Sequence, residues 1–219
     1  MASVVDICNL ALGHLGDDAT VSSISPPEGS AQAEHCARFY PIARDVCLEA
    51  HEWGFATKRA DLALLSTAAP PGFQFVYQVP ANCRNIVDLI DPNALDDYTY
   101  HNRGEQWRNS AREPVPYEQE TLDDGTQVIY TNLENAKVRY VFGVTDTTKF
   151  SAQFTDALAW LLAAYLAGPV IKGDTGMQIG QAMMKAFVGI ISQAKTADAN
   201  SRQRSRAQSE RTPSWIASR

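Results

Sequence analysis

From Val4 to Leu15 the apolar residues Val4, Ile7, Cys8, Ala11, Leu12 and Leu15 recur at the three-and-four spacing of a helix with one buried face. Ser3 stands where an N-cap belongs, and Gly16 where a left-handed residue ends a helix. The loop that follows contains Pro26, Pro27 and Gly29, which exclude regular structure. A second helix is predicted from Ala31 to His51, with Cys36, Phe39, Tyr40, Ala43, Val46, Cys47 and Ala50 on its apolar face. Pro41 lies inside it and is expected to kink or open the ladder, at a cost of about 3 kcal/mol. Trp53 and Phe55 close the segment and are expected to pack back on the helices.

The pattern then changes period. Phe73–Val79, Arg84–Ile90, Tyr98–His101, Thr126–Thr131 and Ala136–Val144 are short runs rich in β-branched and aromatic residues. Turn residues separate them at Asp91-Pro92-Asn93, Arg103-Gly104 and Asp123-Asp124-Gly125. Asp124-Gly125, set between Tyr117–Thr121 and Thr126–Tyr130, predicts a hairpin. The expectation is one antiparallel sheet of five or six strands inserted between helices, with no βαβ repeat.

Helical spacing returns at Ala152–Ala167 through Phe154, Leu158, Leu161, Leu162 and Tyr165. Gly168-Pro169 is expected to break it, and a further helix is predicted over Thr175–Lys195, with Ile179, Met183, Ala186, Phe187 and Ile190 on one face. From Asp198 onward core-forming residues nearly vanish until Trp215-Ile216. Five arginines (Arg202, Arg204, Arg206, Arg211, Arg219) against Asp198 and Glu210 give this arm net +3, leaving −9 on the rest. Such a segment is predicted to be disordered in isolation. The class is therefore α+β, an antiparallel helical bundle with an inserted β domain and an extended arm. Its segments are bundle helices at 1–70, sheet at 71–148, bundle helices at 149–197 and a flexible basic arm at 198–219.

Composition narrows the functional classes. At 219 residues, 45% hydrophobic and 20% charged, the chain has material for a packed core. A net charge of −6 argues against a protein that coats nucleic acid with its whole surface. Cys8, Cys36, Cys47 and Cys83 lack CxxC pairing and read as reduced, buried thiols in a cytoplasmic protein. The first residues lack a basic n-region, so no secretory signal is expected. The apolar run 157–171 falls short of a bilayer span and reads as a core helix.

Candidate chemistry is sparse. Asp174-Thr175-Gly176 matches the aspartic-protease triplet but sits at a helix junction, where Asp or Thr as a cap explains it. Cys47 and His51 lie i, i+4, with His35-Cys36 some three turns earlier, a spacing that suits metal ligands. The apolar context of both cysteines makes core thiols the better account. Asp96-Asp97 and Asp123-Asp124 fit turns better than magnesium sites. No enzyme activity, cofactor or metal is expected. The arginine arm suits docking to a protein partner, with Trp215 and Ile216 as the anchor, better than a purely solvated tail or a phosphate-binding one.

The amino-terminal third carries a resemblance. Leu15-Gly16, the loop with Val21 and Ile24 before Pro26, the small residues Ala31 and Ala33, Tyr40-Pro41 with Arg44-Asp45, and Trp53-Gly54-Phe55-Ala56 leading into Leu62 stand in this order. Over residues 7–65 the chain resembles the head-to-tail adaptors of tailed phages, in particular the tail tubular protein A type of short-tailed phages. The resemblance implies a structural virion protein at the portal vertex of the tail, assembled in the host cytoplasm. It implies a ring, a homododecamer, joining the portal protein to a tail nozzle protein and lining the channel through which genomic DNA passes without specific binding. The arm residues Arg202, Arg204, Arg206, Arg211, Trp215 and Ile216 would reach the portal, and the β domain would face the nozzle. Leu15, Tyr40, Trp53 and Phe55 would pack the bundle. The alternatives are a head-completion or tail-ring connector of a long-tailed phage and a small hydrolase built on Asp174 or the aspartate pairs.

Overall fold

The computed structural model of the chain describes residues 2–92 and 115–201. The strand expected at Tyr98–His101, the Asp96-Asp97 pair and every arm residue from Arg202 to Arg219 lie outside the described residues. The class is α+β: helices α1 (Val4–His14) and α2 (Ala31–Glu49) precede the strands, and α3 (Ala152–Ile171) and α4 (Gly173–Ser201) follow them. The strands between are β1 (Thr57–Asp61), β2 (Ala63–Leu64), β3 (Phe75–Gln78), β4 (Cys83–Ile90), β5 (Tyr117–Thr121), β6 (Gln127–Thr131) and β7 (Lys137–Phe142).

They form two small sheets where one was expected, in the orders β1-β7-β4 and β2-β3-β6-β5. The strands β1 and β2 escape sequence reading because Thr-Lys-Arg-Ala-Asp and Ala-Leu carry little β-propensity. Pairing supplies their order instead, as in Leu64 opposite Tyr77. The predicted hairpin is present: β5 and β6 pair antiparallel from Tyr117 opposite Thr131 to Thr121 opposite Gln127. At its turn Gly125 takes φ +84, and the Asp124 carboxylate accepts from the Thr126 N–H at 2.8 Å.

The chain divides into two compact units. Of the described residues, a helical unit holds 2–58, 82–85 and 140–199, and a sheet unit holds 59–81, 86–92 and 115–139. Helix α1 starts in a capping box, with Ser3 and Asp6 exchanging side-chain-to-backbone bonds. The Ser3 N–H, bonded to the Asp6 carboxylate, holds that acid below its ordinary value, and the Ser3 hydroxyl adds to the effect. The helix ends as predicted: Gly16 has φ +74, its N–H reaches Gly13, and the Asp17 N–H reaches Leu12. That is a Schellman ending, which occupies two terminal carbonyls.

Three expectations need correction. Helix α2 ends at Glu49 rather than His51, and it runs through Pro41 without interruption. Helix α3 is not broken by Gly168-Pro169: it continues to Ile171 and stops where Lys172 takes φ +62. Pro169 removes one ladder donor in the last turn, and the packing of α3 outweighs that loss, since nine of its own residues are buried. Helix α4 extends to Ser201, so residues 198–201 are helical rather than part of an arm.

By length and composition α3 is apolar enough to cross a membrane, with half of that window buried in the protein. It packs against both α1 and α2, as the central helix of the unit does. Gly176 and Gly180 of α4 come close to it: a Cβ on Gly176 would lie 2.9 Å from the Ala167 carbonyl oxygen.

Candidate functional site

The residues singled out by sequence fall at joints of the helical unit. Trp53 is fully buried, and its indole N–H donates to the Cys47 carbonyl at 2.7 Å, which ties the segment after α2 back to that helix. Its ring meets Phe154 of α3 edge-on at 5.0 Å. Phe55 meets the same Phe154 at 5.0 Å, and Phe150 joins it at 4.7 Å. Four aromatics thus close on the first turn of α3, each such side chain contributing some 150–250 Å² of contact area. Leu15 and Tyr40 stand apart from this cluster in their roles. Leu15 is the C-cap of α1. Tyr40 is buried, and its hydroxyl has no hydrogen-bond partner among the described residues. Burial pushes the Tyr40 phenol up to about 12.

Three polar joints were not foreseen. Asn9 of α1 clasps both backbone groups of Val21, accepting from its N–H at 2.7 Å and donating to its carbonyl at 3.0 Å. Asp45 of α2 holds two guanidinium groups, those of Arg44 and Arg84, each at 2.8 Å. Asp198 in the last turns of α4 accepts the Gly54 N–H at 3.0 Å and contacts His51 Nε2 at 3.1 Å. His51 also lies edge-on against Trp53. The far end of α4 is therefore hooked onto the end of α2 beside the aromatic cluster. An aspartate on a helix surface gives no sign of this in the sequence, because its partners lie more than 140 residues away.

The chemical candidates take bland positions. Asp174 is exposed in the first turn of α4, where it complements the helix dipole, and α4 already begins at Gly173, so Asp174 is not its cap. Cys8, Cys36 and Cys47 are buried, whereas Cys83 is half-buried, and all four are free. The Cys8 thiol is pushed up by its hydrogen bond with Cys36 and by burial. The Cys47 thiol is pushed up to about 12 by burial. Among the described residues no three His, Cys, Asp or Glu side chains gather as a metal site would require. Asp123-Asp124 forms the β5–β6 turn.

Each of these joints fixes one element against another. Comparison of the chain with models of protein families and with curated proteins finds no match in either.

Proposed function

We propose that the protein is a structural subunit of a tailed-phage virion, a head-to-tail adaptor that forms a ring between portal and tail nozzle. The observation that carries this reading is where the resembling residues fall. Gly16 ends α1, Val21 is clasped by Asn9, Ala33 is fully buried in α2, Arg44-Asp45 engages Arg84, and Trp53 locks α2 to α3. A sequence selected to hold helices rigidly suits a ring subunit under the load of a packaged genome. The acidic body suits a channel wall, since like charge keeps phosphates from sticking. The basic arm suits an acidic portal surface, and Trp215-Ile216 is its anchor.

Native mass spectrometry of the chain alone and with portal rings of the same phage tests this. The expected result is a portal-dependent assembly of about twelve copies, the number the resemblance implies, lost on deletion of Ser201–Arg219 while the body stays folded. In competition, Trp215→Ala weakens attachment more than Arg206→Ala, because buried aromatic anchors outweigh exposed charges. A chain indifferent to portal rings would remove the reading.

A further inference from the structure

Helix α4 is 29 residues long, about 43 Å, yet only Gly176, Phe187, Ile191 and Ala194 along it are buried. Beside that narrow buried face runs a stripe of Met177, Met184 and Val188, with Met177 63% and Val188 59% exposed. Helix α2 of the same unit has a matching stripe in Ile42, 51% exposed, and Val46. Each stripe has charges on its outer edge: Asp174 and Lys185 on α4, Arg38 and Glu49 on α2. All four are exposed, and none enters an ion pair among the described residues.

The charges match in spacing and are opposite in sign. Asp174 precedes Lys185 by the same eleven residues, about three turns, by which Arg38 precedes Glu49. Two parallel helices set side by side therefore pair Asp174 with Arg38 and Lys185 with Glu49. The same setting places Met177 beside Ile42 and Met184 within a turn of Val46, while Val188 lies beyond the end of α2. At 3.6 residues per turn, the order across each face is buried side, apolar stripe, charged rim, so in the parallel setting both rims fall on the same side. An antiparallel setting opposes Asp174 to Glu49 and Lys185 to Arg38, which repel.

We propose that the occupant of the α4 stripe is the α2 stripe of a second copy of this chain, and that this contact is the repeating one. Two different patches on one subunit make a head-to-tail interface, which closes into a ring when the rotation allows. Within a chain the ends of α2 and α4 already meet through His51 and Asp198. The proposal rests on the ring reading for its closure, and it adds the surfaces that make the ring.

The test is a charge swap in the full-length chain. Self-association is followed by sedimentation velocity in free solution and by native mass spectrometry on portal rings. Lys185→Glu and Glu49→Lys each weaken association about fivefold, the scale of an exposed charge pair. The two together restore it, and Met184→Glu weakens it with an unchanged melting temperature. A double variant no tighter than the singles overturns the interface, as does a chain that never associates in either setting. Association with rescue but no portal binding keeps the interface and discards the adaptor role. Portal-bound rings unmoved by either single reversal keep the role and discard the interface.

Discussion

In the helical unit one residue, Phe154, is touched by the rings of Trp53, Phe55 and Phe150, and it is one of nine buried residues of α3. In the sheet unit the corresponding cluster is Val76, Val128 and Tyr130, with Leu65, Ala69, Phe73 and Leu122 half-covering it. One unit has a core gathered around a single helix, and in the other the central strand β6 is covered on both faces, since the consecutive residues Val128, Ile129, Tyr130 and Thr131 are all buried. The outer strand β5 is exposed at four of its five positions and carries Glu118 and Glu120, charges that discourage further strand pairing. Glu120 also hydrogen-bonds the Tyr130 hydroxyl, which raises that phenol. The difference teaches where each element can make contacts: the central strand β6 is covered like much of α3, whereas the edge strand β5 leaves its residues open to solvent.

The sharpest way to break this contrast is Trp53→Ala, which removes the aromatic that holds α2 to α3. A loss of about 3–5 kcal/mol in urea unfolding is expected. A loss below about 1.5 kcal/mol would mean that the aromatic cluster is not the centre of the helical unit. Next comes a pair of glycines in α4. Gly176→Ala forces a Cβ to 2.9 Å from a backbone oxygen of α3 and is expected to destabilise by about 1–3 kcal/mol. Gly189→Ala meets nothing within 4 Å and is expected to stabilise by about 0.5–1 kcal/mol. Equal effects from the two would show that α4 does not approach α3 closely.

In the sheet unit Val76→Ala removes two methylene equivalents from the small Val76–Val128–Tyr130 cluster, an expected loss of about 1.5 kcal/mol in the same assay. A loss as large as that of Trp53→Ala would erase the contrast.

The smallest effect is a pH slope. His14 stacks on Trp160 at 4.0 Å, and burial lowers its pKa while the nearby Asp156 opposes the shift. The group is neutral in folded and unfolded chains above its ordinary value of 6.5. As pH falls below that value, the unfolded chain takes up the proton first, so stability declines until the folded chain binds it too. Melting temperatures at pH 7 and 5 should therefore differ less in His14→Phe than in the parent. An unchanged difference would mean that His14 does not carry the slope.

Much of the helical unit was legible because its signals are local. Ser3 and Gly16 announce the ends of α1, the spacing of Ile7, Cys8, Ala11 and Leu12 gives its face, and Asp124-Gly125 announces the hairpin. Trp53 and Phe55 were legible as packing residues by size alone, although not their convergence on Phe154. Pro169 misled, since a proline near a helix end costs one donor and a buried helix has contacts to spare. The hook at Asp198 was illegible: its partners His51 and Gly54 come from the far end of α2.

By itself, then, the sequence determined the α+β class, the placing of strands between two pairs of helices, and the caps, because these follow from hydrophobic period and from side chains bonding their own neighbours. Only the tertiary structure decided that the strands divide into two sheets, that β1 and β2 are strands at all, and that α4 runs on to Ser201. Each of those outcomes depends on hydrogen bonds to partners distant in the chain. The energy that selects them does not exist until the fold brings those partners together.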